Sequence, residues 1–190
     1  MNYQTVFGVV AVVIGLSSFV LYFYNIFYGK IKPHAFSWFI WGLLEAIVFF
    51  ASISRGGGAG AWATGVTSLL CFTVSLIAFS TKNHHFMRLD WFCLCAAFFG
   101  ILFWRVTGDP LTAVIIVTIT DAIGFVPTFR KSYFAPHEEM VTMYALSAAK
   151  LFTALFALES LNLTTTIYPL TGVITNTLFT IMLLMRRRII

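Results

Sequence analysis

The chain has 190 residues, of which 59% are hydrophobic and 10% charged, with a mean hydropathy of +0.90. Twelve basic and seven acidic residues are too few to coat a soluble globule, in which about a quarter of residues are charged; a soluble enzyme and a free nucleic-acid binder are excluded. At about 20 residues per bilayer crossing, there is room for seven spans with short loops.

The segment Met1 to Thr5 carries no Lys or Arg, and the apolar run after it lacks a small-residue cleavage pattern. It reads as a retained first span, Val6–Phe27, rather than a signal peptide. The second span, Phe36–Ser54, places Trp38, Trp41, Gly42 and Glu45 on one helical face, because they recur at spacings of three and four. An aromatic wall beside a carboxylate suits a ring-shaped or cationic ligand, although Trp38 reads more simply as an interfacial tryptophan with ordinary packing. Gly56-Gly57-Gly58-Ala59-Gly60 follows. It lacks the Gly-Lys-Ser/Thr of a phosphate loop and reads as an outside turn or a gate.

The third span, Ala61–Ser80, carries Thr64, Ser68 and Cys71 on one face, a pattern typical of helix–helix contact in membranes. His84-His85 lies in the next loop, where a solvated loop is the simpler reading than a metal pair. The fourth span, Trp91–Thr107, is the shortest, with aromatic and basic residues at its ends. Cys93-x-Cys95 within it lacks partner ligands. The fifth, Leu111–Phe129, holds Asp121 and, six residues on, Pro127. A proline inside a span removes a backbone hydrogen bond and predicts a bend or hinge. Pro33 and Pro136 lie in loops as turn residues. The sixth span, Met140–Leu158, contains Lys150 and, one turn earlier, Ser147. Asn162-Leu163-Thr164 is a glycosylation pattern. The seventh, Thr165–Met185, groups Gly172, Asn176 and Phe179 on one face, with Thr175 beside it and Pro169 near its start.

The basic residues set the expected orientation. With the N-terminus outside, the inside segments hold Lys30, Lys32, Lys82, Arg88, Arg130, Lys131, Arg186, Arg187 and Arg188, against Arg55 and Arg105 outside. That bias predicts an integral, multi-pass protein of the plasma (cell inner) membrane with its C-terminus cytoplasmic. Arg186 to Arg188 read as an inside stop in contact with anionic lipid.

The two halves resemble each other. Phe19-Val20 and Phe23 match Phe125-Val126 and Phe129; Pro33-His34 matches Pro136-His137; Thr64-Gly65-Val66 matches Thr171-Gly172-Val173; and Phe72-Thr73 matches Phe179-Thr180. The first three spans thus repeat as the last three. An odd number of spans inverts the second copy unless one extra crossing intervenes, and the fourth span supplies it. The predicted fold is an all-α polytopic membrane protein, two parallel three-helix bundles joined by a linker helix (3+1+3). Its parts are residues 1–80, a linker loop and helix at 81–110, and residues 111–190.

This layout resembles the SWEET and PQ-loop transporter superfamily across nearly the whole chain. The family's Pro-Gln pair ends the first helix of each bundle. Here Pro127-Thr128, followed by Arg130-Lys131-Ser132, keeps the proline without the glutamine, and Leu21-Tyr22 stands in the first bundle with neither. The resemblance implies alternating access around a site between the bundles near mid-membrane. It also implies that an asparagine on the seventh helix, here Asn176, lines the pocket.

Glu45, Asp121 and Lys150 lie well inside spans, where each charge costs about 2.5–3.5 kcal/mol at the bilayer centre. Such residues face a cavity or pair with one another, as Lys150 would with Asp121 or Glu45. By the repeat, Asp121 falls opposite Gly15, Lys150 opposite Ile47 and Glu45 opposite Ala148. The charges are not duplicated, which favours a specific task over architecture. The expected substrate site is Trp41, Glu45, Asp121, Ser147, Lys150 and Asn176, with Asp121 coupling transport to a proton or cation and Pro127 as hinge. No catalytic group, metal ligand set or cofactor motif is read. The expected partners are a small polar or aromatic metabolite and the lipid bilayer; a homo-oligomer is compatible with the layout, and no nucleic acid is expected. The expected function is transport. The alternative is a seven-helix receptor or sensor that binds without moving its ligand.

Overall fold

The computed structural model describes residues 2–29, 33, 35–80 and 88–189. Lys30, Lys32, His34, Lys82 and the His84-His85 pair lie outside the described residues. Among these residues there is no strand; the chain forms helices α1 (Tyr3–Phe27), α2 (Ala35–Ser54), α3 (Trp62–Ser80), α4 (Arg88–Thr107), α5 (Pro110–Phe134), α6 (Val141–Phe156) and α7 (Leu163–Arg186), with short 3-10 turns at Gly58–Ala61 and Pro136–Glu138. Five helical stretches are long and apolar enough to cross a membrane: Tyr3–Phe27, Ala35–Ser54, Gly58–Ser80, Pro110–Phe134 and Leu163–Arg186. Trp91–Thr107 and Val141–Phe156 are apolar but shorter. Val20, Leu69, Leu76, Val106 and Leu178 are all more than half exposed on the outside of the bundle. An apolar exterior of this kind is compatible with an integral membrane protein.

Several element ends differ from the sequence expectation; α1 starts at Tyr3 rather than Val6, and α4 at Arg88 rather than Trp91. The fifth helix runs on to Phe134, continuous through position 127. The sixth ends at Phe156, because Ala157 and Leu158 close a tight turn on Ala154 and Leu155. Its 16 residues cover only about 24 Å at 1.5 Å per residue. The seventh begins at Leu163, two residues before the expected Thr165, with Pro169 inside the helix. Asn162 caps it, its side chain accepting from Thr165 N–H at 3.2 Å while the Thr165 hydroxyl accepts from Asn162 N–H at 3.1 Å. That reciprocal pair satisfies donors the first helical turn would leave orphaned. Asn162 Nδ2 also donates to Arg55 O at 3.0 Å and Ser160 Oγ at 3.1 Å. The glycosylation pattern is thus engaged in structure.

The helices pack in a regular order. Helix α3 packs on both α1 and α2, and α7 on both α5 and α6. Between these groups, α1 packs on α6 and α2 on α5, while α4 packs on α5 and more lightly on α2. Small residues allow the close approaches. A methyl on Gly65 of α3 would meet the Phe49 ring of α2 at 2.8 Å, and one on Gly172 of α7 would run into Leu151 of α6. Ser68 Oγ donates to Gly42 O of α2 at 2.7 Å, the interhelical contact expected of that face. The main apolar core lies where α2, α4 and α5 meet, around Leu44, Ile47, Val48, Ala97, Val114 and Val117.

Candidate functional site: a central cavity closed at one end

A cavity of about 320 Å³ lies between the two helix groups, with walls from α1, α2, α3, α5, α6 and α7. Each helix contributes one stripe: Phe19 and Tyr22; Trp38, Trp41 and Glu45; Thr67 and Cys71; Asp121, Phe125 and Thr128; Met143, Ser147 and Lys150; Tyr168, Gly172 and Asn176. The spacings within these sets, three, four, seven or eight residues, are those of one helical face. All six residues expected to bind substrate, Trp41, Glu45, Asp121, Ser147, Lys150 and Asn176, line this one cavity. The side chain of Pro127 is not among those described.

At the base, Lys150 is 5% exposed and Glu45 8%. Lys150 Nζ donates to Thr67 Oγ1 at 2.9 Å and stands 3.9 Å from Glu45 Oε1. The lysine leaves α6, passes α1 and reaches α2 and α3. It passes at Gly15, where a methyl would meet Lys150 Cδ at 3.1 Å. Gly15 is the position opposite Asp121 in the sequence repeat, so the lysine stem fills the room left by the missing side chain. Glu45 Oε2 is buried without a hydrogen-bond partner among the described residues, although the Tyr168 phenol faces this carboxylate. Asp121 is half-buried on the cavity wall, within the electrostatic reach of Glu45 and Lys150. No hydrogen bond or ion pair holds its side chain among the described residues. Asn176 Nδ2 donates to Gly172 O at 2.8 Å, which leaves its carbonyl oxygen for another donor.

Aromatic rings wall the rest. Trp38 is 6% exposed and inside the bundle, which corrects its reading as an interfacial residue. It packs on Tyr22 at 4.7 Å, on Phe19 at 5.8 Å and on Trp41 at 5.2 Å between ring centroids. Across the cavity, Tyr144 and Phe125 pack edge-on against Phe179 at 4.3 and 5.3 Å. Tyr144 Oη donates to Glu139 Oε2 at 3.2 Å. Pro33 and Glu139, from the loops at the C-terminal end of the molecule, border the cavity. Arg187 caps that end by donating to the backbone oxygens of Pro136 at 3.0 Å and Glu139.

The N-terminal end is shut. A methyl on Gly60 would stand 2.8 Å from Leu158 N and 2.9 Å from Ala154 O; one on Gly8 would stand 2.8 Å from Ala59 O. Gly58, with φ +52°, has no room for a side chain beside Glu159. Arg55 and Asp109 pair at 2.9 Å over this end. The glycine run is therefore a packed seal.

Sequence reasoning missed Thr67, Tyr168, Tyr22 and Tyr144. Tyr168 stands four residues before Gly172 and eight before Asn176, so extending that face by one turn would have found it. Thr64 and Ser68 belong to the face toward α2, and Thr67 with Cys71 to the cavity. No group of three or more His, Cys, Asp or Glu able to hold a metal occurs among the described residues. No protein-family model, curated protein or solved structure matches the chain.

Proposed function

We propose that the protein is a membrane transporter that moves a small polar or aromatic metabolite by alternating access between two parallel three-helix bundles, α1–α3 and α5–α7, with α4 as linker. The observation that carries this reading is a charged cavity between the two groups, shut at the N-terminal end and bordered by loop residues at the other. The packing order supports the bundle arrangement: α3 lies against both its mates, α7 against both of its own, and the cross-contacts α1 with α6 and α2 with α5 exchange under a two-fold operation. With the N-terminus outside and the C-terminus cytoplasmic, as the basic residues indicate, the cavity faces inward. Substrate binding would release the seal around Gly60 and close the aromatic mouth, with position 127 of α5 as the hinge.

Asp121 is the proposed coupling residue, since it is the carboxylate on the wall that neither Lys150 nor a hydroxyl engages. The test is uptake by the purified protein in liposomes, with and without a pH gradient. Gradient-dependent flux that Asp121→Asn uncouples supports the reading. Flux and pH response unchanged in Asp121→Asn would remove Asp121 from it. Binding in detergent with no flux in liposomes would identify a receptor or sensor instead.

A further inference from the structure

The charge arrangement in the cavity narrows the ligand class. At the inner end of the cavity two carboxylates, Glu45 and Asp121, share the space with one ammonium, Lys150, while the third lining carboxylate, Glu139, lies at the loop end and accepts from Tyr144 Oη. Lys150 is committed to Thr67 and Glu45. Among the described residues, Glu45 Oε2 is buried with no hydrogen-bond partner, the Tyr168 phenol facing its carboxylate, and Asp121 has no hydrogen bond or ion pair. With both carboxylates ionised, the group of Glu45, Asp121 and Lys150 carries one negative charge more than it compensates internally. Inside a membrane such a charge calls for a cation. The walls are Trp38, Trp41, Tyr22 and Phe125, and aromatic faces attract ammonium and guanidinium groups. A volume of about 320 Å³ admits a small organic molecule. A ligand that also carried a carboxylate would need a cation of its own, and Lys150 is already engaged.

We infer that the cavity selects a small organic cation without a carboxylate, its ammonium or guanidinium group held between Asp121 and Glu45 Oε2 and its apolar or aromatic body against the tryptophans. The inference rests on the reading of the cavity as the substrate site of a transporter. Lys150 then positions Glu45 and is not itself a ligand contact. Asn176, whose Nδ2 donates to Gly172 O, offers its carbonyl oxygen as a further acceptor on α7.

The probes are phenethylamine, benzylguanidine, the neutral isostere 2-phenylethanol, the zwitterion phenylalanine and glucose, each added to the purified full-length protein in detergent. Thermal stabilisation and equilibrium binding are read for each. The two cations should raise the midpoint of unfolding, and the alcohol, the zwitterion and the sugar should not. Asp121→Asn should weaken cation binding at least tenfold, and Glu45→Gln should weaken it too. Stabilisation by the alcohol or glucose equal to that by phenethylamine would overturn the inference, as would no response to either cation. The wild-type comparison needs no variant to fold. Cation binding without flux in liposomes would leave this inference standing and defeat the transporter reading. Flux of glucose but not of phenethylamine would do the reverse.

Discussion

At the N-terminal end of the bundle, glycines let backbone meet backbone, whereas at the opposite end rings and charges surround open space. Gly60 faces the backbone of Leu158 and Ala154, and Gly8 faces that of Ala59. Tyr22, Trp38, Tyr144 and Phe125 wall the cavity toward the other end. The difference lies in what each contact can tolerate. A glycine contact cannot yield to an added methyl, because its neighbour is backbone on another element. An aromatic contact can rearrange by rotation about side-chain bonds. The closed end is thus a steric lock and the open end an adaptable lining, with Lys150 and Glu45 where the two meet.

The largest expected effect is at that meeting point. Lys150→Met leaves Glu45 without its cation and should cost about 3–5 kcal/mol, the cost of stranding one member of a buried pair. Adding Glu45→Gln to it should recover most of the loss, as read by thermal unfolding of both variants. If the double variant were as unstable as the single one, the lysine would matter for packing and not for the carboxylate. Gly60→Ala attacks the lock. Its methyl meets backbone atoms, and an overpacking cost of about 1–3 kcal/mol is expected. It should also admit a membrane-impermeant thiol reagent to the cavity from the N-terminal end. A fully stable Gly60→Ala that remained impermeable would show that the seal is not steric.

Asn162→Ala removes the cap of α7 and the bond to Arg55 O, and should cost about 0.5–2 kcal/mol. Hydrogen exchange should rise first in the opening turn of α7. The smallest effect should come from Arg55→Ala. Its pair with Asp109 is roughly half exposed on both sides, where such pairs contribute about 0.2–1 kcal/mol. A larger loss there would mean that a surface pair, and not the glycine packing, holds the end shut.

The parts of this arrangement differ in how openly the sequence displays them. Glu45, Asp121 and Lys150 stand out because a charge in an apolar run is costly wherever the helix faces, so each needs a cavity or partner. Trp41 and Ser147 could be placed from helical spacing relative to Glu45 and Lys150, and Asn176 from the family resemblance. Tyr168 lay one turn further along the Gly172 and Asn176 face, whereas Thr67 could not be placed so, because only helix rotation turns Thr67, rather than Ser68, toward the cavity. The matched Thr-Gly-Val segments were visible in the sequence, and Gly65 and Gly172 within them each mark a close approach to a neighbouring helix. The seal was illegible: a run of glycines fits an open loop as well as a backbone contact, and the choice depends on Leu158 and Ala154, about a hundred residues away in the chain. Asn162 carried a readable cap signal in Thr165 three residues on, which the overlapping glycosylation pattern obscured.

The central claim is that one cavity is open to the C-terminal end and can be exposed to the other. A single reporter tests it. Ser147→Cys lies on the cavity wall, and Cys71, Cys93 and Cys95 can be replaced by alanine so that it is the only thiol. In oriented vesicles without ligand, a charged, membrane-impermeant thiol reagent should label it from the C-terminal side and not from the N-terminal side. A transported ligand held on the C-terminal side should bring labelling from the N-terminal side. Labelling from the N-terminal side at rest, or labelling that no ligand moves, would contradict alternating access through this cavity.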